Sequence, residues 1–235
     1  MLAYICKWVL VSALVVASQG ATFTVENNCQ YTVWPGILSN GEAQISTTGF
    51  KLQKGESRTI NAPPSWTGRF WGRTLCNVTY TSNKRNFTCV TGDCGSNKVE
   101  CSGGGPAPPA TFLEFSQDGP NGTDSFEVNV FDGYNLPMLV VPQGYAGANY
   151  CRAAGCVKDL NGFCPLELQV SDLSGEVVGC TGPCCCTAKG TRRACAPTDE
   201  SRLFKNACPR AFTDVYDDSS SFTCESGADY FLNMD

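Results

Sequence analysis

Histidine is absent from all 235 residues of the chain. Its absence removes Ser-His-Asp and Cys-His nucleophilic catalysis and the commonest metal ligand. The side chains left for proton transfer are carboxylic acids. Three of them stand in strand-like or turn context: Glu114, Glu127 and Asp132. Glycoside hydrolysis needs two such acids, one to protonate the leaving oxygen and one as base or nucleophile. Spacing alone does not select that chemistry, because acids on a wet sheet face are mostly just solvated. No glycine loop with its lysine is present to cradle phosphate, and Gly103-Gly104-Gly105 runs into prolines rather than a helix. Sixteen cysteines include the run Cys184-Cys185-Cys186. In an exported chain such density means disulfides rather than metal sites, so neither a metal nor a cofactor is expected.

Export is read from the first twenty residues. Lys7 precedes an apolar run from Trp8 to Ala17, and small residues follow at Ser18 and Gly20. This is the pattern of a secretory signal peptide. The run is too short for a membrane span, which needs about 20 residues. Cleavage after Gly20 is expected to leave a secreted chain over residues 21–235 with fifteen cysteines, an odd number, so at least one thiol stays unpaired within the chain. Loss of Lys7 leaves 16 basic against 22 acidic side chains, a net −6. Nucleic acid and anionic membrane surfaces are poor partners for that charge; neutral polymers and basic groups suit it better. Three sequons, at Asn77, Asn86 and Asn121, are candidates for N-glycosylation in exposed loops.

The elements that must position these residues read as short strands. Phe23 and Val25 alternate with Thr22 and Thr24, and a turn at Asn27-Asn28 leads to a second strand around Tyr31 and Val33, as in a hairpin. Further strand-like runs are Ser57–Ile60, Arg69–Leu75, Thr111–Ser116, Ser125–Phe131 and Met138–Val141. In Ser125–Phe131, Phe126, Val128 and Val130 share one face while Ser125, Glu127 and Asn129 share the other, as in a strand packed on one side only. Glycine- and proline-rich turns between the runs argue for a β-sandwich or barrel. From Cys151 the strand pattern fades and a disulfide-stapled lobe is expected over 151–208, against a β-core of 21–150 and 209–235. One helix is expected over Thr198–Ala207, capped by Thr198, with Leu203, Phe204 and Ala207 on one face.

Several segments carry a resemblance to a known family. They are Thr91-Gly92-Asp93-Cys94-Gly95 framed by Cys89 and Cys101, Cys29-Gln-Tyr-Thr-Val-Trp34, Trp71-Gly-Arg-Thr74 before Cys76, Phe131-Asp-Gly-Tyr-Asn-Leu-Pro-Met138, and Lys205-Asn-Ala-Cys-Pro-Arg-Ala-Phe212. Together they resemble the thaumatin-like proteins, the plant pathogenesis-related group five, over nearly all of residues 21–235. The resemblance implies a mainly β, flattened sandwich with disulfide-rich lobes and one short helix. It implies an acidic cleft, carried over here to Arg73, Glu114, Glu127, Asp132 and Asp217, with Glu127 standing where the family has aspartate. It further implies a secreted, monomeric antifungal defence protein, in the apoplast or cell wall, that binds β-1,3-glucan or another wall polysaccharide. A weak endo-β-1,3-glucanase using Glu114 and Asp132, or an inhibitor of a microbial glycosidase such as a xylanase, are the alternatives.

Family pairing implies the disulfides Cys76–Cys89, Cys94–Cys101, Cys151–Cys224, Cys156–Cys208, Cys164–Cys180 and Cys186–Cys195. A seventh would have to join Cys184 to Cys185, whose Cα atoms, about 3.8 Å apart across a trans peptide, are closer than a relaxed disulfide allows. The sequence closes on Phe231-Leu-Asn-Met-Asp235 rather than the family's Phe-Cys-Pro. Cys29 is therefore expected to be free, and the terminal strand to be lost, leaving an open sheet edge.

Overall fold

The computed structural model describes residues 20–81, 84–119, 122–144, 150–182, 199–214 and 216–235. Residues 1–19 of the expected leader, Asn121, Thr198, and the cysteines Cys184, Cys185, Cys186 and Cys195 lie outside them. The expected Cys186–Cys195 and Cys184–Cys185 pairs therefore fall outside the described residues as well.

The strands are β1 (Thr22–Asn27), β2 (Trp34–Ser39), β3 (Ser57–Asn61), β4 (Thr67–Arg73), β5 (Asn77–Thr81), β6 (Lys84–Thr88), β7 (Phe112–Gly119), β8 (Thr123–Asn129), β9 (Gly133–Tyr134), β10 (Met138–Gln143), β11 (Ala154–Cys156), β12 (Gln169–Ser171), β13 (Val177–Thr181), β14 (Phe222–Glu225) and β15 (Asp229–Met234). One α-helix, α1, spans Asp199–Ala207. Two five-stranded sheets, ordered β11-β10-β15-β1-β3 and β14-β8-β7-β4-β2, face one another; β12-β13-β9 form a small third sheet and β5-β6 a separate hairpin. The expected runs correspond to β3, β4, β7, β8 and β10, with ends shifted by a few residues.

Alternation explains which face each strand buries. Phe23 and Val25 of β1, Phe70 of β4, Leu113 and Phe115 of β7, Phe126 and Val128 of β8, and Tyr230 and Leu232 of β15 all enter one core between the two sheets. Phe23 sits at its centre, with ring centroids 4.8 Å from Phe70, 4.9 Å from Phe115 and 5.4 Å from Tyr230. A second core, holding Val130, Tyr134, Leu160 and Phe204, lies beneath α1. The described residues contain five disulfides, Cys76–Cys89, Cys94–Cys101, Cys151–Cys224, Cys156–Cys208 and Cys164–Cys180.

Three sequence expectations are overturned. The first two strands do not form a hairpin: β1 pairs with β15 and β3, whereas β2 pairs with β4 in the opposite sheet. The reason is Asn27, fully buried, whose side chain donates to Tyr31 O at 2.9 Å and Leu52 O at 3.0 Å and accepts from Cys29 N at 3.0 Å. It anchors a crossover between sheets where a tight reversal was expected. The terminal strand is also not lost. β15 lies inside its sheet, parallel to β1 and antiparallel to β10, with Tyr230, Leu232 and Met234 buried. Backbone pairing and alternate apolar side chains hold it there. Finally, α1 buries Ser201 and Phe204 but leaves Leu203 41% exposed; Leu203 lies about 100° around the helix from Phe204 and misses the core.

Cys29 is free and buried. Burial raises its thiol to about 11, so little thiolate exists near neutral pH. Alkylation of Cys29, followed by peptide mapping, is expected to run about tenfold or more slower in the folded chain than after denaturation. Equal rates would mean that the thiol is open to solvent.

Candidate functional site

Sheet register builds a polar row on the outer face of the second sheet. Arg69 of β4 lies opposite Glu114 of β7, and Glu114 lies opposite Glu127 of β8. Their neighbours along the strands, Phe70, Leu113, Phe115 and Phe126, turn the other way into the core. Strand alternation thus supplies a row of charged groups on an apolar foundation. Directly opposed residues on paired strands have Cβ atoms about 4.5–5.5 Å apart, so Glu114 and Glu127 are close neighbours.

Arg69 Nη2 donates to both carboxylate oxygens of Glu114 at 3.3 Å, and its guanidinium lies 4.9 Å from the centroid of the Phe112 ring. Both partners remain partly exposed, at 34% and 40%. Ser221, just before β14, donates its hydroxyl to Glu127 Oε2. Glu114, Phe115, Ser116, Ser125, Phe126, Glu127 and Ser221 line an open cavity of about 270 Å³. Asp132, in the turn after β8, shares an adjoining recess with Arg69, Phe112, Pro106 and Pro108.

Burial raises the Glu127 carboxyl above its ordinary value; the Ser221 hydrogen bond opposes the shift, and the charges of Glu114 and Asp217 add to it. Burial raises Asp132 too, against the pull of Arg69. These two groups keep their protons to higher pH than free carboxylic acids do.

The five residues carried over from the resemblance do not all meet here. Glu114, Glu127 and Asp132 do. Asp217 does not line the groove; its side chain is 4% exposed and gripped by Lys205 Nζ at 2.7 and 2.8 Å, with Ser219 Oγ at 2.8 Å and Thr213 N at 3.2 Å. Burial alone would raise this carboxyl, but the Lys205 and Ser219 hydrogen bonds, with the Lys205 charge, outweigh it and hold it below its ordinary value. Arg73 is not in the groove at all. It is fully buried, donating from Nε to Trp34 O at 2.9 Å, from Nη1 to Lys98 O at 3.5 Å, and from Nη2 to Pro35 O and Val99 O.

The arginine of the groove is Arg69, which the sequence reading missed. Arg69 and Arg73 have the same parity on β4, so alternation puts both on one face. Only the register opposite Glu114 and the loop packed over Arg73 separate their roles. Lys205 was missed as well. Its place in the last turn of a helix gives no sign of an aspartate twelve residues on.

The model of the Thaumatin family matches residues 27–234. Thaumatin-like protein 1 of Arabidopsis thaliana is 47% identical over 231 residues, covering 93% of this chain and 87% of that protein. The protein named glucan endo-1,3-beta-glucosidase in Prunus avium is 43% identical, covering 92% and 91%. A PR5-like receptor kinase of Arabidopsis thaliana is 45% identical over 90% of this chain, which spans only 33% of the kinase's length.

Proposed function

Because the chain belongs to the thaumatin family, we propose that it is a secreted defence protein whose acidic groove binds β-1,3-glucan of fungal walls. The observation that carries this reading is the row of Arg69, Glu114 and Glu127, with Asp132 beside it, along an open depression. A glucan presents closely spaced hydroxyls that both donate and accept. Carboxylates accept from them and Arg69 donates to them. An open groove suits a long polymer better than an enclosed pocket does. The acidic net charge is no obstacle to an uncharged ligand.

Retention on insoluble β-1,3-glucan is the direct test. Asp132→Asn and Glu127→Gln are each expected to weaken binding about 10-fold, the equivalent of one charge-assisted hydrogen bond. Soluble, folded wild-type protein that is not retained would sink the reading.

A second reading is weak glucan hydrolysis by the same carboxyls. It is favoured by the name of the Prunus avium relative. Release of sugar that disappears in Glu114→Gln, while retention persists, would establish it.

A further inference from the structure

Two of the three sequons meet on one small surface. β5 and β6 pair with Asn77 opposite Thr88 and Thr79 opposite Asn86. Each acceptor asparagine therefore lies across from the hydroxyl residue of the other sequon. All four side chains share one face of the hairpin, because directly opposed residues point the same way and residues two apart keep that direction. Asn77, Thr79 and Thr88 are exposed and Asn86 is half-buried. The other face carries Phe87, buried against Trp34 with ring centroids 6.0 Å apart and lying 5.4 Å from the Arg73 guanidinium. The two asparagines are diagonal neighbours, about 7–8 Å apart at Cα. Both thus lie on strands, not in the loops the sequence suggested. The Cys76–Cys89 disulfide closes the hairpin immediately outside both sequons.

We propose that this face is a single-occupancy N-glycan site: Asn77 carries the oligosaccharide, and Asn86, despite its complete sequon, stays bare. The proposal rests on the reading that the chain is exported. In the modification, the Asn77 amide nitrogen forms a bond to the anomeric carbon of a lipid-pyrophosphate-linked oligosaccharide. The anomeric carbon–oxygen bond breaks, pyrophosphate leaves with the electron pair, and the amide gives up one proton.

Three observations favour Asn77. It is nine residues ahead, so it reaches the transferase first during synthesis. It is the more exposed of the two. The middle residue of the Asn86 sequon is Phe87, which must leave its core site for that sequon to be extended into an active site. Once a bulky, hydrated glycan stands on Asn77, its diagonal neighbour is covered.

The test uses full-length chain expressed in plant cells and recovered from the medium. Enzymatic deglycosylation in heavy-oxygen water marks each glycan-bearing asparagine as labelled aspartate, and peptide mapping reads the hairpin apart from Asn121. The wild type is expected to carry one mark on the hairpin, at Asn77. In Asn77→Gln the mark is expected to move to Asn86, and Thr79→Ala, which keeps Asn77 but breaks its sequon, is expected to do the same. Thr88→Ala is expected to change nothing. Two marks on one hairpin, a wild-type mark at Asn86, or an unmarked hairpin in exported protein would each overturn the proposal. So would Asn86 staying bare in both Asn77→Gln and Thr79→Ala, since the neighbour would then not be what silences it. Chain retained in the cytosol would instead overturn the export reading, and the proposal with it.

Discussion

Arg73→Met is expected to destabilise the fold by about 3–4 kcal/mol while leaving the groove intact. The Arg73 side chain spans the end of β4 and the loop over it, donating to the carbonyls of Trp34, Pro35, Lys98 and Val99. Pro35 O keeps the N–H of Phe50 and Lys98 O keeps the Ser96 hydroxyl. Trp34 O and Val99 O, both partly buried, lose their charged donor. A buried acceptor left without its donor costs about 1–3 kcal/mol, more when the lost donor is charged. Burial lowers the Arg73 pKa to about 10, opposed by Asp93 and Glu100, so the guanidinium is still a cation at neutral pH. Arg69→Met is expected to behave in the opposite way. Its salt bridge to Glu114 is partly exposed, and such pairs contribute about 0–1 kcal/mol, but the variant loses the groove's donor. Urea midpoints and glucan retention, measured on both variants, separate the roles. Normal stability with lost retention in Arg73→Met would put Arg73 in the binding site and overturn its structural assignment.

The second large effect is expected at Lys205. Lys205→Met leaves the Asp217 carboxylate, 4% exposed, without its cation, and removing one partner of a buried ion pair costs about 3–5 kcal/mol. The pH dependence identifies the cause. In the wild type the Asp217 carboxyl is held below its ordinary value of 3.8. Its stabilising contribution is therefore fully present above that value and is lost as pH falls through the lower folded value. In the variant burial acts unopposed by Lys205, and the carboxyl rises above its ordinary value. The unpaired charge then destabilises most at neutral pH and is relieved as the group takes up its proton. The stability gap between wild type and Lys205→Met is expected to hold at neutral pH and to narrow as pH falls through the raised Asp217 value of the variant, towards the lowered value of the wild type. A constant gap would mean that Lys205 acts by packing its methylene stem. Where that carboxyl stays ionised, loss of the cation would also leave its charge, which already raises Glu127, uncompensated.

The two arginines also show where sequence reading stops. Alternation in β8 was readable because Phe126 and Val128 are apolar and Ser125 and Glu127 are polar, and burial follows that pattern. Glu114, Glu127 and Asp132 could be named for the same reason: acids on the polar face of a strand, or in the turn after it, reach solvent. Arg69 and Arg73 give no such contrast. They share residue type and parity, and differ only in what other segments place over them.

The chain's own residue pattern determined the sandwich class, the absence of histidine chemistry, the disulfide framework over the described residues, and the free thiol at Cys29. Strand periodicity and composition carried the mainly β class and the absence of histidine chemistry, and the odd cysteine count required an unpaired thiol; the choice of sandwich, the pairing and the place of the free thiol at Cys29 came from the family resemblance of the motifs. Tertiary structure decided the rest. It sends β2 to the opposite sheet through the buried Asn27 side chain, and seats β15 inside a sheet by backbone pairing. It puts Arg69 rather than Arg73 beside Glu114, closes Lys205 on Asp217, and brings two sequons together on one hairpin. All of these depend on register or contact between segments far apart in the chain, and periodicity within one segment carries no information about its neighbours.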